Sequence, residues 1–318
     1  MGALHRPRHG SLQFWPRKRA EKELPSINWK TLENKDLGKT LLGTLGYKVG
    51  MCSMIVKDNT PNSLTKGKTI VVPATILECP PVKILGIRFY KNKQVALDVL
   101  SAGLDKELKR KIKLPKQEGK LPENIDNFDN LHVLVYSEAN KSSIKKTPDI
   151  AEVGVKGKTL KEKFETAKAM LGKEININDV FEKNQLVDVH AVTKAKGLVG
   201  PVKRYHITFK QHKSEKGVRR PGSLGPWHPA RVTFKVPMAG QLGYFTRVQY
   251  NNKLMDFDTI AKSKLDNRVF MNYGIIRTKY CVIKGSVAGP QKRAIFITYS
   301  IRPTKDKAKE NFEIVKFA

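Results

Sequence analysis

Short apolar segments bounded by Gly and Pro recur along this chain of 318 residues, and they constrain its fold more than any other feature. In these segments apolar and β-branched residues alternate with polar ones or form brief runs, which is typical of β-strands. Six stand out: KTIVVPATILE (68–78), VKILGIRFY (82–90), KRYHITFK (203–210), RVTFKVP (231–237), TKYCVIKG (278–285) and RAIFITYSI (293–301). Such repetition predicts a mainly β protein with a closed or sandwiched sheet.

Residues 98–188 have a different pattern. TLKEKFETAKAMLG (159–172) predicts a helix, because Thr159 and Glu162 can form a capping box and Gly172 provides a C-terminal stop. Leu160, Phe164, Ala167 and Leu171 would share its apolar face. LDKELKRKI (104–112) is helical in pattern and HVLVYSE (132–138) is strand-like. The block therefore indicates an α/β insertion.

Net charge also distinguishes residues 98–188 from the rest of the chain. The chain has 60 Lys and Arg against 29 Asp and Glu, a net charge of +31, but residues 98–188 hold only +1 of it. The other 227 residues carry +30. A chain this basic repels itself unless a polyanion screens it. We expect the flanking regions to face a polyanion and the near-neutral block to face solvent or protein.

Several classes of protein are disfavoured. The longest apolar stretches, such as 70–77, are far shorter than the roughly 20 residues that cross a bilayer. The N-terminal region is basic without an apolar run, so we expect no secretory signal and an intracellular protein. Cys52, Cys79 and Cys281 have no metal-ligand spacing and are predicted to be reduced core thiols. The seven histidines show no metal motif either; His190 and His206 lie in strand patterns and are predicted to be structural.

A long connection carries the sharpest functional hypothesis. Segments 203–210 and 231–237 could pair as a hairpin joined by residues 211–230, a connection far longer than the usual roughly 2 to 5 residues. Its part 217–229 has six Gly or Pro in thirteen residues, so we expect its shape to come from a binding partner. Residues 194–235 contain eleven bases and one acid, Glu215, which suits phosphate.

Aromatic rings accompany these bases. Trp227 and His228 would offer planar rings to unpaired RNA bases. The alternative for Trp227 is a core aromatic folded back onto the sheet. For Trp15 and Trp29 the sequence leaves both interpretations open.

Motifs for catalysis are missing from the sequence. It contains no GxxxxGK[ST] loop, GxSxG elbow or GxGxxG after a strand, so we predict a non-enzyme without cofactor, metal or small-molecule substrate. Glycines in 43–50 and 285–290 are interpreted first as turn formers, although amides of 285–290 with Lys292 and Arg293 could hold a phosphate. An RNA-modifying enzyme and a free RNA chaperone remain the alternatives.

Five separate segments, in order, resemble one family. They are HRPRHGSLQFWPRKRA (5–20), GYKVGMCSMIV (46–56), LGPWHPARV (224–232), AGQLGYFTRVQYN (239–251) and GIIRTKYCVIKGSVAGPQKRAI (274–295). Together they resemble the universal large-subunit ribosomal protein three, the L-three family, from residue 5 to about residue 302. The near-neutral block and the PRHG segment resemble the archaeal and eukaryotic branch, and the lack of a long basic tail after Ala318 favours the archaeal type.

The resemblance implies a six-stranded β-barrel of the translation-protein type with an α/β insertion. Its expected parts are a basic N-terminal arm (1–34), a discontinuous barrel core (35–97 and 189–302), the insertion (98–188) and a C-terminal tail (303–318). The core would carry the extended basic loop 211–230.

The resemblance also implies a structural constituent of the cytoplasmic large ribosomal subunit that binds its rRNA early in assembly. Loop 211–230, with Trp227 near its tip, and the arm 5–19 would approach the peptidyl-transferase centre, and neighbouring proteins would include the L-fourteen family. The expected RNA-binding residues are His5, Arg6, Arg8, His9, Arg17, Lys18, Arg19, Lys203, Arg204, Lys213, Lys216, Arg219, Arg220, Trp227, His228, Arg231, Lys292 and Arg293. Eukaryotic members carry a methylatable histidine twelve residues before the loop tryptophan, where this chain has Glu215, so that modification is not expected here.

Overall fold

Strands dominate the computed structural model, which describes residues 14–33, 35, 39–101, 103–115, 119–122, 124–258, 265 and 268–317. The expectation of a mainly β protein is confirmed. The strands in these residues are β1 (Gly43–Asp58), β2 (Thr69–Glu78), β3 (Val82–Lys91), β4 (Gln94–Leu100), β5 (Asn130–Ser137), β6 (Ile150–Gly154), β7 (Glu174–Ile175), β8 (Leu186–Val192), β9 (Gly197–Val199), β10 (Gly240–Leu242), β11 (Thr246–Asp258), β12 (Tyr280–Lys284), β13 (Ala294–Tyr299) and β14 (Phe312–Phe317).

The helices of the described residues are short. They are α1 (Lys30–Glu33), a 3-10 helix (Lys106–Arg110), α2 (Leu160–Met170), α3 (Ile177–Val180), α4 (Pro201–Tyr205) and α5 (Lys305–Lys309). Helix α2 confirms the sequence prediction: Thr159 accepts a hydrogen bond from the Glu162 N–H, and the Glu162 carboxylate accepts one from the Lys158 N–H. Ala167 is buried, and Gly172 follows the helix with a φ of 72°.

Two compact units make up the described chain: residues 14–22 with 192–247, and residues 23–191 with 248–317. The larger unit contains a seven-stranded sheet in the order β13, β8, β11, β12, β2, β1, β14, and β13 also pairs with β1. Residues 303–318, expected to be a tail, include α5 and β14, and β14 pairs with the second half of β1.

A five-stranded sheet also lies in the larger unit. Its order is β4, β3, β5, β6, with β7 on β3. The sheet therefore joins strands from both sides of residue 98. The main core cluster includes Phe89, Val133 and Ala167 of this region together with Leu45 and Ile297 of the seven-stranded sheet.

Glycines of β1 correct the turn prediction for residues 43–50. Gly43 and Gly46 lie within the strand, where a Cβ on Gly43 would come within 2.7 Å of the Ile297 carbonyl oxygen and one on Gly46 within 3.1 Å of the Cys79 sulphur. These glycines permit close approach of neighbouring chain segments. Trp29, 3% exposed, packs against Gly43 and Phe296, so it is a core residue.

Two predicted strands are wrong. Residues 203–210 begin in α4, which has Pro201 at its start, and continue as irregular chain, whereas residues 231–237 form turns. The predicted hairpin between them is therefore not formed. Tyr205 is buried, but other alternating apolar residues that suggested strands are exposed, including Phe209 (53%) and Phe234 (62%).

The predictions for histidine and cysteine are partly confirmed. His190 is buried, with Nε2 3.1 Å from Thr298 Oγ1, but His206 is an exposed residue with a φ of 56° after α4, so its strand assignment is wrong. Cys79 and Cys281 are buried free thiols with sulphurs 3.6 Å apart, and Cys52 is half-buried. Among the described residues, no helix combines the length and apolar character needed to cross a membrane.

Candidate RNA interface

Most of the predicted RNA-binding residues fall in the smaller unit. It contains Arg17, Lys18, Arg19, Lys203, Arg204, Lys213, Lys216, Arg219, Arg220, Trp227, His228 and Arg231. Lys292 and Arg293 lie in the larger unit, and His5, Arg6, Arg8 and His9 lie outside the described residues.

The smaller unit concentrates positive charge. Residues 14–22 and 192–247 hold 16 Lys and Arg against two acids, Glu21 and Glu215. Glu21 is engaged by Lys18, whose Nζ lies 2.9 Å from its carboxylate. The unit therefore has a large excess of cations in a short length of chain, the electrostatic footprint of a nucleic-acid surface.

A two-stranded sheet joins the two ends of the long segment 200–239 in this unit. Strand β9 pairs with β10, so that Val199 lies opposite Gly240 and Gly197 opposite Leu242. The chain between them contains α4 and a long irregular segment. Every residue from 222 to 235 is exposed.

Trp227 lies on this exposed segment with 86% of its surface accessible. The alternative interpretation of Trp227 as a core aromatic is therefore wrong. Gly225 has a φ of 150°, a conformation that favours glycine, and its N–H lies 3.3 Å from Ser223 Oγ. The residues before the indole thus form a local turn that leaves the ring in solvent.

Two of the predicted arginines, Arg17 and Arg204, contact the Tyr205 ring. The Arg17 guanidinium lies 4.8 Å from the Trp15 ring and 4.7 Å from the Tyr205 ring, and Arg204 lies 5.2 Å from the same Tyr205 ring. Tyr205 is buried, and Trp15 meets Phe234 edge-on at 5.1 Å. Cation–π contacts of this kind contribute about 0.5–1 kcal/mol each at exposed sites.

Arg204 has a structural task as well. Its Nε donates to the Gln241 carbonyl at 3.0 Å and its Nη1 to the Met238 carbonyl at 2.9 Å. A Cβ at Gly240 would lie 2.7 Å from Nη1, so the guanidinium fills the space that glycine leaves. Arg204 thereby holds the backbone in place where the chain enters β10. Lys203, by contrast, is exposed.

The smaller unit also exposes large apolar side chains, which the sequence reasoning missed. They are Phe14, Leu198, Phe209, Leu224, Val232, Phe234 and Met238. The sequence signal that could have found them is apolar alternation together with an excess of basic residues. This combination indicates apolar side chains that are covered by a binding partner. Isolated exposed apolar residues are ordinary, but this many on one small unit indicate a binding surface.

Residues 285–290, with Lys292 and Arg293, were considered from the sequence as a phosphate-binding site, and the structure does not favour that interpretation. The backbone N–H groups of Gly285, Ala288, Lys292 and Arg293 all donate within the protein. Lys48 Nζ donates to the Gly289 carbonyl at 3.1 Å. These contacts favour the turn-forming interpretation. The Lys292 side chain is exposed, whereas the Arg293 side chain is 16% exposed and lies 3.7 Å from Glu23.

Two acidic residues of the larger unit, Glu33 and Glu152, are neutralised by cations of the same unit. His132 lies between Glu33 and Glu152, with nitrogen–oxygen distances of 2.7 and 2.5 Å, and Lys163 Nζ lies 2.8 Å from Glu33. Burial opposes ionisation of Glu33, but hydrogen bonds from His132 and Lys163 outweigh it and lower its pKa to about 2. Burial likewise opposes ionisation of Glu152, and hydrogen bonds from His132 and Tyr90 lower its pKa to about 2.

Burial also disfavours the charged form of His132, but its bonds to the two carboxylates raise its pKa above 6.5. Ionised groups here stabilise one another rather than forming a catalytic pair. Within the part of the chain that the structure describes, no group of three His, Cys, Asp or Glu side chains is arranged to hold a metal ion.

Comparison with known proteins adds an independent finding. The family model described as Ribosomal protein L3 matches residues 1–120 and 105–317. The large ribosomal subunit protein uL3 of Methanocaldococcus jannaschii is 41% identical over 315 residues, covering 94% of this chain and 92% of that protein. The uL3 proteins of Methanothrix thermoacetophila (38% identical, 95% and 93% covered) and Methanobrevibacter smithii (40%, 94% and 93%) are similar over the same extent.

Proposed function

Because the chain belongs to the ribosomal protein L3 family and is of the archaeal type, we propose that it is a structural, non-catalytic constituent of the large subunit of the cytoplasmic ribosome and binds its rRNA. The observation that carries the RNA-binding part is Trp227, an indole 86% exposed on a unit with 16 basic and two acidic residues. Exposed rings and exposed cations together match the faces and phosphates of RNA.

The cations act through phosphate neutralisation. Each Lys or Arg that pairs with a phosphate releases a condensed counterion, so the affinity depends steeply on salt. The exposed predicted residues Lys18, Arg19, Lys203, Lys213, Lys216, Arg220, Arg231 and Lys292 serve in this way. Arg17 and Arg204 first organise the unit through Tyr205 and β10, which presents the other cations in a fixed arrangement.

The family resemblance refines the proposal. Loop 211–230 extends toward the peptidyl-transferase centre with Trp227 near its tip, and the arm containing Arg17 to Arg19 approaches the same region. Binding takes place early in subunit assembly, and proteins of the L-fourteen family are neighbours. The further RNA contacts in this proposal are His5, Arg6, Arg8, His9, His228 and Arg293.

We also propose that six strands form a closed barrel. The support is the pairing of β13 with both β8 and β1, which links the two ends of the series β13, β8, β11, β12, β2, β1. In this proposal the chain keeps the arm, discontinuous core, insertion and tail predicted from its sequence. The insertion 98–188, with its net charge of +1, is the part least engaged with RNA.

Sedimentation of a cell lysate tests the function. With an antibody against the chain, we expect all of the signal in the large-subunit and whole-ribosome fractions, and we expect it to remain there after a moderate salt wash. Known large-subunit and small-subunit proteins serve as markers. Signal in the free fractions at the top of the gradient would instead favour a free RNA chaperone or an RNA-modifying enzyme.

A further inference from the structure

Phe209 and Arg219 are in contact at the two ends of a short loop, residues 210–218. The Lys210 N–H donates to the Val218 carbonyl at 3.0 Å, so the two ends of the loop are held together. Two further backbone hydrogen bonds close turns within residues 211–217. The loop therefore has a defined shape through its own hydrogen bonds.

The pair forms a flat, partly open surface. The guanidinium carbon of Arg219 lies 4.9 Å from the centre of the Phe209 ring, so it covers one part of that ring. Phe209 nevertheless remains 53% exposed, and Arg219 is exposed as well. Planar groups of this kind stack with nucleobases, since every base has a π-face.

Charges surround this surface on both sides of the loop. Lys213 and Lys216 lie in its turns and Arg220 follows Arg219, and all three are exposed. Glu215 is the loop's single acid. A nucleotide whose base lies on Phe209 would therefore have cations within reach of the phosphates that flank it.

We propose that Phe209 and Arg219 form a stacking site for one unpaired nucleobase of RNA, with the flanking phosphates bound by Lys213, Lys216 and Arg220. This inference rests on the proposed rRNA-binding function and adds a recognition mode to it. The site accepts any unpaired base, because stacking on the Phe209 ring uses the π-face that every base has. A perfect duplex does not fit, since its base faces are already covered by neighbouring base pairs.

The probes for the test are polyuridylate, which has unpaired bases, and a polyadenylate–polyuridylate duplex. Phe209→Leu removes the ring and keeps an apolar side chain, so its affinity for polyuridylate should fall about 5- to 150-fold, the equivalent of about 1–3 kcal/mol. The slope of that affinity against salt should not change, because no phosphate contact is lost. Phe209→Tyr should retain the affinity, and binding to the duplex should be the same for all three proteins.

The matched control is Tyr250→Leu, which removes a ring of similar exposure (55%) from β11 in the larger unit and should leave binding unchanged. Unchanged affinity of Phe209→Leu for polyuridylate would overturn the proposal. A loss with a shallower salt slope would also overturn it, because Phe209 would then act by holding Arg219 against a phosphate. If the unaltered chain bound neither RNA, the proposed function itself would fail.

Discussion

Lys163 places its Nζ 2.8 Å from Oε2 of Glu33, and both side chains are at least nine-tenths buried. The pair joins α1 to α2, since Glu33 ends the first helix and Lys163 lies in the first turn of the second. Asn130 and His132 contact the same carboxylate, so that four polar groups satisfy one another inside the unit. A buried pair of this kind is costly to break, because its remaining charge stays desolvated.

Glu33→Gln should therefore lower the free energy of unfolding by roughly 3–5 kcal/mol. The amide keeps the shape of the side chain but leaves Lys163 without its counter-charge. Urea unfolding monitored by circular dichroism measures the loss. The control is Lys161→Gln, which breaks an exposed pair with Asp126 at 3.5 Å and should cost about 0–1 kcal/mol. Equal losses in the two variants would contradict the prediction.

Acid should unfold the larger unit through the same network. The pKa of Glu33 and that of Glu152 are both lowered from 4.5 to about 2 in the folded chain. Each carboxylate thus contributes stability that is present above about pH 4.5 and is lost as the pH falls through about 2. Urea midpoints measured across this range should decline steeply.

The double variant Glu33→Gln, Glu152→Gln should start less stable and show a flatter decline over the same pH range, because two of the carboxylates that bind protons on unfolding are gone. A decline as steep as that of the unaltered chain would show that other carboxylates cause the loss of stability at acid pH.

Trp227→Ala should leave the melting temperature of the isolated chain nearly unchanged, because the indole is 86% exposed, and exposed substitutions usually change stability by less than about 0.5 kcal/mol. Ribosomes assembled with the variant should handle tRNA or translation factors poorly, which a peptide-synthesis assay with purified components would measure. Trp29→Ala is the contrasting control: this indole is 3% exposed, and its loss should cost roughly 3–5 kcal/mol. Normal synthesis with the Trp227 variant would remove the residue from the functional surface.

Arg219→Ala combined with Arg220→Ala should weaken rRNA binding and reduce the slope of log affinity against log salt by about 1, because Arg220 loses a phosphate contact whereas Arg219 loses a stacking contact. Filter binding at several salt concentrations measures the slope. Lys93→Ala combined with Lys109→Ala, in the larger unit, removes the same net charge and should change the slope less. An unchanged slope in the arginine variant would show that neither guanidinium binds phosphate.

Sequence patterns predicted several of the strands that have a protein core beside them. β2, β3, β12 and β13 lie within a few residues of their predicted bounds, and α2 was identified by its cap and apolar face. Alternation predicts a strand only where the apolar face is covered by the same chain. This condition holds in the larger unit, where the alternating residues of β2 and β13 enter the core.

The same rule failed at 203–210 and 231–237, because several of their alternating apolar residues are not covered by the described chain. Phe209 and Phe234 remain exposed. Strand β1 was missed for the opposite reason: its glycines suggested turns, but they serve the close packing of adjacent strands. The internal network of Glu33, His132 and Lys163 could not be predicted, since it joins residues about 30 to 130 positions apart.

Strand β1 pairs along its first half with β13, where Gly43 lies opposite Thr298, and along its second half with β14, where Met54 lies opposite Phe317. More than 250 residues separate these partners in the chain. One edge of β1 pairs with β2, which follows it closely in the chain. During synthesis from the N-terminus, the other edge of β1 waits for nearly the whole polypeptide before β13 and β14 can pair with it. Long-range pairing of this kind folds slowly and leaves strand edges open to other chains. We therefore expect newly made copies of so basic a protein to aggregate unless a chaperone or RNA covers the open strand edge.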